Sequence, residues 1–229
     1  MTTQTYDTEN ANPRRDQGFT TAKPAPDNKR KLSRTPYVWA IFAVWGYAAF
    51  ALSQNGVFQS TAATPPIAVA IAALGPGLLF LSVYSIYAPL RRWVDGLDLS
   101  EIIALQAWRI IGFAFLAVWG LDELPAVFAL PAGIGDMAVG LAAPVVALAV
   151  ERRSKGWRIG AYGLIAAGIF DFIVAFVTGI LSRQGGALDF DGHVASSLLG
   201  VAPLSMFPAF IVPAFFILHI IALIKLRRA

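Results

Sequence analysis

The sequence predicts an all-α integral membrane protein, a bundle of six transmembrane helices with both termini in the cytoplasm. Three observations predict it. Of the 229 residues 57% are hydrophobic and only 14% charged, whereas soluble domains run near half apolar and a quarter charged; mean hydropathy is +0.62. Apolar runs of about 18 residues or more recur along the chain, the length needed to cross about 30 Å of hydrocarbon. With a cytoplasmic N-terminus, 16 of the 18 Lys and Arg residues fall on one side of the membrane, as the positive-inside rule requires.

Taken in order, residues 1–35 read as a disordered, polar and basic cytoplasmic tail. Asn10, Pro13, Asp16, Pro24 and Pro26 punctuate it without apolar periodicity. Its closing cluster, Lys29-Arg30-Lys31 and Arg34, suits anchoring on an anionic leaflet. Residues 36–229 form the transmembrane domain, with spans predicted at about 36–53, 66–88, 102–120, 125–150, 159–181 and 204–224. The first carries Trp39, Trp45 and Tyr47. It reads as a retained helix, because a signal peptide would place its charges nearer the start and end in a small-residue cleavage site. The second is expected to be interrupted at Gly75-Pro76-Gly77 and closes on Arg91-Arg92. The third contains Gln106 and Arg109. The fourth follows the short loop Leu121-Asp122-Glu123-Leu124 and ends at Glu151-Arg152-Arg153. The fifth contains Asp171. After the longest connection, Ser182 to Pro203, the sixth carries Pro208, Pro213 and His219 and ends at Lys225, Arg227 and Arg228.

The outer loops hold Asp122, Glu123, Asp189 and Asp191 instead. The net charge of +4 therefore reports orientation, and no nucleic-acid partner is implied. The absence of cysteine excludes disulfides, thiol nucleophiles, thiolate zinc sites and lipoprotein-type acylation.

The informative residues are the polar ones at membrane depth. Pro125–Pro144 is apolar, yet contains Pro131, Gly133, Gly135 and one carboxylate, Asp136. The proline and glycines predict a local helix break, and a charge in hydrocarbon predicts a functional or paired group facing the bundle interior. At about 1.5 Å per residue, Asp136 and Asp171 both lie roughly 18 Å from the cytoplasmic edge, His219 at roughly 8 Å. Arg109 enters lower but its long side chain can rise to the acids. Gln106, three residues earlier, shares its face. Small-residue rows Ala132-Asp136-Gly140-Pro144 and Gly163-Ala167-Asp171-Ala175-Gly179 place both acids against other helices. Two acids then face one permanent base. Either the charges form a structural ion pair that fixes helix register, or the second acid is protonated, binds a cation or pairs with His219, which suits a proton or cation coupling site.

Other chemistry has weaker support. His219 alone is a core histidine rather than a metal or haem ligand, since metal sites need several ligands. Asp189, Asp191 and His193 alternate and would share one side of an extended segment, a weak candidate metal set that could also serve a lipid-modifying enzyme. No cofactor is implied. No Gly-x-Ser-x-Gly elbow, phosphate-cradling glycine loop or His-Glu-x-x-His motif occurs, which points away from an enzyme.

Gln106-x-x-Arg109, Leu124-Pro125-Ala126-x-Phe128-Ala129-Leu130-Pro131-Ala132-Gly133-Ile134-Gly135-Asp136, Val139-Gly140 and Ala143-Pro144 resemble a family of uncharacterised bacterial multi-pass membrane proteins. Pro203-Leu204, Pro208, Val212-Pro213 and Leu218-His219 resemble that family's last helix. The likeness covers roughly residues 100 to 225 and implies a bacterial inner (plasma) membrane location with a shared polar core, and nothing catalytic. The expectation is a protein whose partners are the lipid bilayer and a small solute, proton or cation. The competing expectation is a non-catalytic structural or interaction protein. Oligomeric state is not legible.

Overall fold

Apolar periodicity gives way to helix throughout, and local breakers decide where each helix stops. The computed structural model describes residue 1 and residues 35–61, 64–190 and 196–229. It falls into two units, Met1–Ala40 and Ile41–Ala229. In the first unit, the described residues beyond Met1 are the opening turns of helix α1 (Thr35–Gln54). The expected tail, with its Lys29–Arg34 cluster, lies almost wholly outside the described residues.

Within the second unit, α1 packs through aromatic side chains. Trp45 meets Phe210 edge-on at 4.9 Å between ring centroids, and Phe42 lies 6.1 Å from the same ring. Ser53 hydrogen-bonds Ser205 at the far end of the helix. Helix α2 (Ile67–Ile86) passes unbroken through Pro76, so the expected interruption at Gly75-Pro76-Gly77 does not occur. Gly77 instead lets a neighbour in: a Cβ there would lie 2.6 Å from the Phe216 ring.

The end of α2 is set by Pro89, whose ring has no N–H for the Ser85 carbonyl and would clash with it. Tyr87 turns extended (φ −104°, ψ 99°). Arg91 Nη1 then donates to the released Ser85 carbonyl at 2.7 Å. A short helix α3 (Ala88–Asp95) follows, with proline in its first turn. Asp98 caps the next helix by accepting from the Ser100 and Glu101 amides at 2.7 and 3.3 Å, the usual role of a carboxylate before a helix start.

That helix, α4, spans Leu99–Trp119 but is not uniform. Leu99–Ala104 and Phe113–Trp119 are α-helical, and Leu105–Gly112 between them is a 3₁₀ helix. Helix α5 (Ala126–Glu151) runs unbroken through both Pro131 and Pro144. Gly156, at a φ of +81° that suits glycine, opens α6 (Trp157–Leu181). A connection containing a 3₁₀ turn (Ser196–Gly200) and a cis Ala202–Pro203 peptide leads to α7 (Val212–Leu226). A π-helical turn, Phe207–Ile211, precedes it, where the Val212 N–H bonds the Phe207 carbonyl. Pro208 lies within this wider turn and Pro213 just beyond it.

Helix α5 is central: it packs along α4 on one side and α6 on the other, while α7 packs against α2, α4 and α6. Two apolar layers result. Ile103, Val139, Ala143, Leu164 and Ile221 belong to one, and Phe115, Leu124, Phe128 and Phe207 to the other. Among the described residues there is no strand. Six stretches, Tyr37–Gln54, Ile67–Ile86, Leu99–Trp119, Ala126–Glu151, Trp157–Leu181 and Phe207–Leu226, are long and apolar enough to cross a membrane. The burial pattern is inverted with respect to a water-soluble domain: Arg109 is the largest fully buried side chain, whereas Ile134, Leu141, Val145, Phe170 and Ile173 are exposed.

Candidate functional site

The 3₁₀ stretch of α4 is what aims the site. At three residues per turn, side chains three apart eclipse one another. Ile103, Gln106, Arg109, Gly112 and Phe115 accordingly form one buried column. In a regular α-helix the direction from Gln106 to Gly112 would drift by about 120°. The column faces α5, where the buried residues Ala132, Asp136, Gly140 and Ala143 run along the contact.

Arg109 sits between the two apolar layers with no exposure. Its Nε donates to Asp136 Oδ1 at 2.7 Å. Its Nη2 donates to Asp171 Oδ2 on α6. Nη1 donates to the Gly168 carbonyl at 3.3 Å and lies 3.1 Å from His219 Nε2 on α7. The guanidinium carbon stacks 3.9 Å above the centre of the Phe172 ring, a cation–π contact strengthened by the lack of water. Four of the five guanidinium N–H groups are thus used.

The contact with Arg109 also fixes the histidine. Arginine has no acceptor, so His219 Nε2 must accept and the ring proton of neutral His219 sits on Nδ1. His219 therefore touches the base, not an acid as the pairing alternative had it. Gln106 Nε2 reaches the Phe215 carbonyl at 3.4 Å, one turn from His219. Gln106 Oε1 and His219 Nδ1 are buried without partners among the described residues.

Pro131, Gly133 and Gly135, the expected helix break, do something else. The helix is continuous there. Lipid and packed neighbours offer freed backbone groups no water, so local adjustment retains the helix around proline. The glycines serve close approach. A Cβ at Gly135 would collide with the Asp171 carboxylate, one at Gly112 with that of Asp136, and one at Gly168 with the His219 ring and Arg109. A Cβ on Gly133 would meet the Leu116 side chain at 2.6 Å, and one on Gly140 the Ile110 amide nitrogen at 2.8 Å. Irregular backbone lies instead in α4, which carries Arg109, and just before α7, which carries His219.

The row expected to carry Asp171 is also corrected. Gly163 and Ala167 are exposed, and the buried face of α6 runs Ala161, Leu164, Ile165, Gly168, Asp171 and Phe172. Only the far half of the expected row, Ala175 and Gly179, turns inward, where it lines a cleft.

That cleft, a cavity of about 90 Å³ open at one side, has Asp136 and Asp171 in its wall together with phenyl rings. Ser60, Arg183 and Ser196 mark its other end. Asp136 and Asp171 side chains keep 11% and 7% of their surface, whereas Arg109 keeps none. The carboxylates, and not the arginine, face the opening. Nothing in the sequence signals this cleft, because residues far apart in the chain build it.

Of the weak metal candidates, Asp189 Oδ2 accepts from the Gly185 amide at 2.8 Å. Asp191 and His193 lie outside the described residues. Among the described residues no three His, Cys, Asp or Glu side chains gather as a metal site.

A family model described as a domain of unknown function, DUF8737, matches residues 66–227. The chain belongs to this family. The match includes Gln106, Arg109, Asp136, Asp171 and His219, and leaves out the tail and α1. No curated protein and no solved structure matches the chain.

Proposed function

We propose that the protein is a multi-pass protein of a bacterial inner membrane, with both termini in the cytoplasm, that handles a small solute or ion through the Arg109–Asp136–Asp171 core. The observation that carries this reading is the sharing of one arginine by two carboxylates that both border an open cleft. With neutral His219 the ionised cluster holds one surplus negative charge. One proton or one monovalent cation balances it, which sets the stoichiometry of the site at one. Charge of this kind is costly in apolar surroundings, and ionisable residues at membrane depth commonly mark an ion or substrate pathway.

The test is proton and sodium flux in proteoliposomes. Asp136→Asn and Asp171→Asn each leave Arg109 one carboxylate and a neutral cluster, so each variant folds and loses flux. Unchanged flux in both variants contradicts the proposal.

One observation favours a second reading. The arginine spends four of its five N–H groups on three helices other than its own, as a purely structural clamp would. On that reading the wild type carries no flux above empty liposomes, and the Asn substitutions alter only thermal stability.

A further inference from the structure

We propose that the cleft above the carboxylate pair is a binding site for an amphipathic amine, a single ammonium carried on an apolar body. This rests on the reading of the cluster as a site with one surplus negative charge and names the class of cation that fills it.

Arg109 occupies one oxygen of each acid, Asp136 Oδ1 and Asp171 Oδ2. Among the described residues the other two, Asp136 Oδ2 beside Gly112 and Asp171 Oδ1 beside Gly135, accept no hydrogen bond, and both residues line the cleft. An alkylammonium has N–H donors for two such oxygens and the charge that the cluster lacks.

The remainder of the lining selects the body of the ligand. Phe58, Phe115, Phe128, Phe172, Phe176 and Phe207 border the cleft. Phenyl faces attract a desolvated cation near the acids and accept hydrocarbon further out. A hard metal ion is a poorer match, because it needs about six oxygen ligands and the site brings two carboxylates among phenyl rings. Asp171 and Arg183 lie twelve residues apart near the two ends of the cleft, about 18 Å along a helix. That length takes a short alkyl chain, and it sets Arg183 at the mouth well away from the ammonium. Arg183 is itself engaged, with Nη1 donating to the Thr61 carbonyl at 3.2 Å.

The experiment is equilibrium binding of radiolabelled n-hexylammonium to the full chain in nanodiscs at neutral pH, with n-hexanol and hexanoate as competitors of the same length. The proposal expects saturable binding at one per chain, with hexanol and hexanoate competing at least about tenfold more weakly. Asp171→Asn weakens hexylammonium by about tenfold or more. Ala175→Phe, which fills the cleft and leaves both acids in place, abolishes binding, and it carries the test should the Asp171 variant fail to fold. Equal competition by hexanol or hexanoate, or undiminished binding to Ala175→Phe, overturns the proposal. The two readings separate cleanly. Asp171-dependent ion flux without hexylammonium binding retires the amine and keeps the ion site. Hexylammonium binding that needs Asp171, in a protein with no flux, keeps the ligand and retires transport.

Discussion

Among the described residues, Arg109 and Arg228 each meet aspartates from distant parts of the chain, and the two sites differ in almost everything but their chemistry. Arg109 meets Asp136 and Asp171 with no exposure of the arginine. Arg228 meets Asp95 at the end of the bundle with 53% and 50% of the two side chains exposed, and also reaches the Tyr84 hydroxyl at 3.0 Å. At the exposed pair water solvates either partner alone, so the bond is dispensable. In the buried cluster no water replaces a lost partner, so each charge depends on the others. The difference lies in what remains after one partner is taken away, and not in the strength of the contact.

That contrast yields a ranked set of outcomes. Arg109→Met leaves two buried carboxylates without a base and is expected to cost about 3–5 kcal/mol of stability, read as a large fall in the unfolding temperature in detergent. Gly168→Ala pushes a methyl into the His219 ring and Arg109. It is expected to cost about 1–3 kcal/mol, the usual range for overpacking, and a smaller loss than that from Arg109→Met in the same assay sharpens the view that charge outweighs fit here. Asp98→Ala removes the cap of α4 at about 1 kcal/mol. Its carboxyl is held below the ordinary range chiefly by the Ser100 hydroxyl, against the opposing effect of burial, with the Glu101 and Ser100 amides and Lys225 assisting. A lowered folded pKa contributes stability above the unfolded value and loses it as pH falls through the folded one. The gap between wild type and Asp98→Ala is therefore full at neutral pH and closes below about pH 4, which unfolding at stepped pH measures. Asp95→Asn is the smallest effect, less than about 1 kcal/mol, and it shrinks further in high salt. A loss as large as that from Arg109→Met would erase the contrast.

How much of this was readable in advance follows from what kind of information each feature needs. The apolar stretches depend only on local composition, and all six appear as helices. Depth and the cost of a lone charge in hydrocarbon put Arg109, Asp136 and Asp171 within reach of one another, but that they touch was not legible, because contact depends on the rotation of each helix. The rest required geometry. The period of three in Gln106-x-x-Arg109-x-x-Gly112 was visible, but the same residues also suit one face of an α-helix over a single turn, and only the column from Ile103 to Phe115 reveals the 3₁₀ winding. Pro131, Gly133 and Gly135 read as a break because their intrinsic preferences say so, whereas packing against Leu116 and Asp171 overrides those preferences. Pro89 carried a signal for a new helix that the run of apolar residues masked. The cleft depends on Phe58, Ser60, Arg183, Ser196 and Leu199 of the connections meeting residues of the helices, a non-local matter that no periodicity encodes.

The central claim is that the charges of the core serve function and are not needed merely to hold the helices. Replacing the whole cluster at once tests it. In Arg109→Met/Asp136→Asn/Asp171→Asn no charge is left to strand. Removing complete buried ion networks in favour of packed neutral side chains is often neutral or stabilising, by about 1–4 kcal/mol. The measurement is ion flux through this triple variant in proteoliposomes beside the wild type, with unfolding temperatures recorded for both. The account predicts a protein at least as stable as Arg109→Met and close to the wild type, with no flux. A folded triple variant that carries flux at the wild-type rate would contradict it.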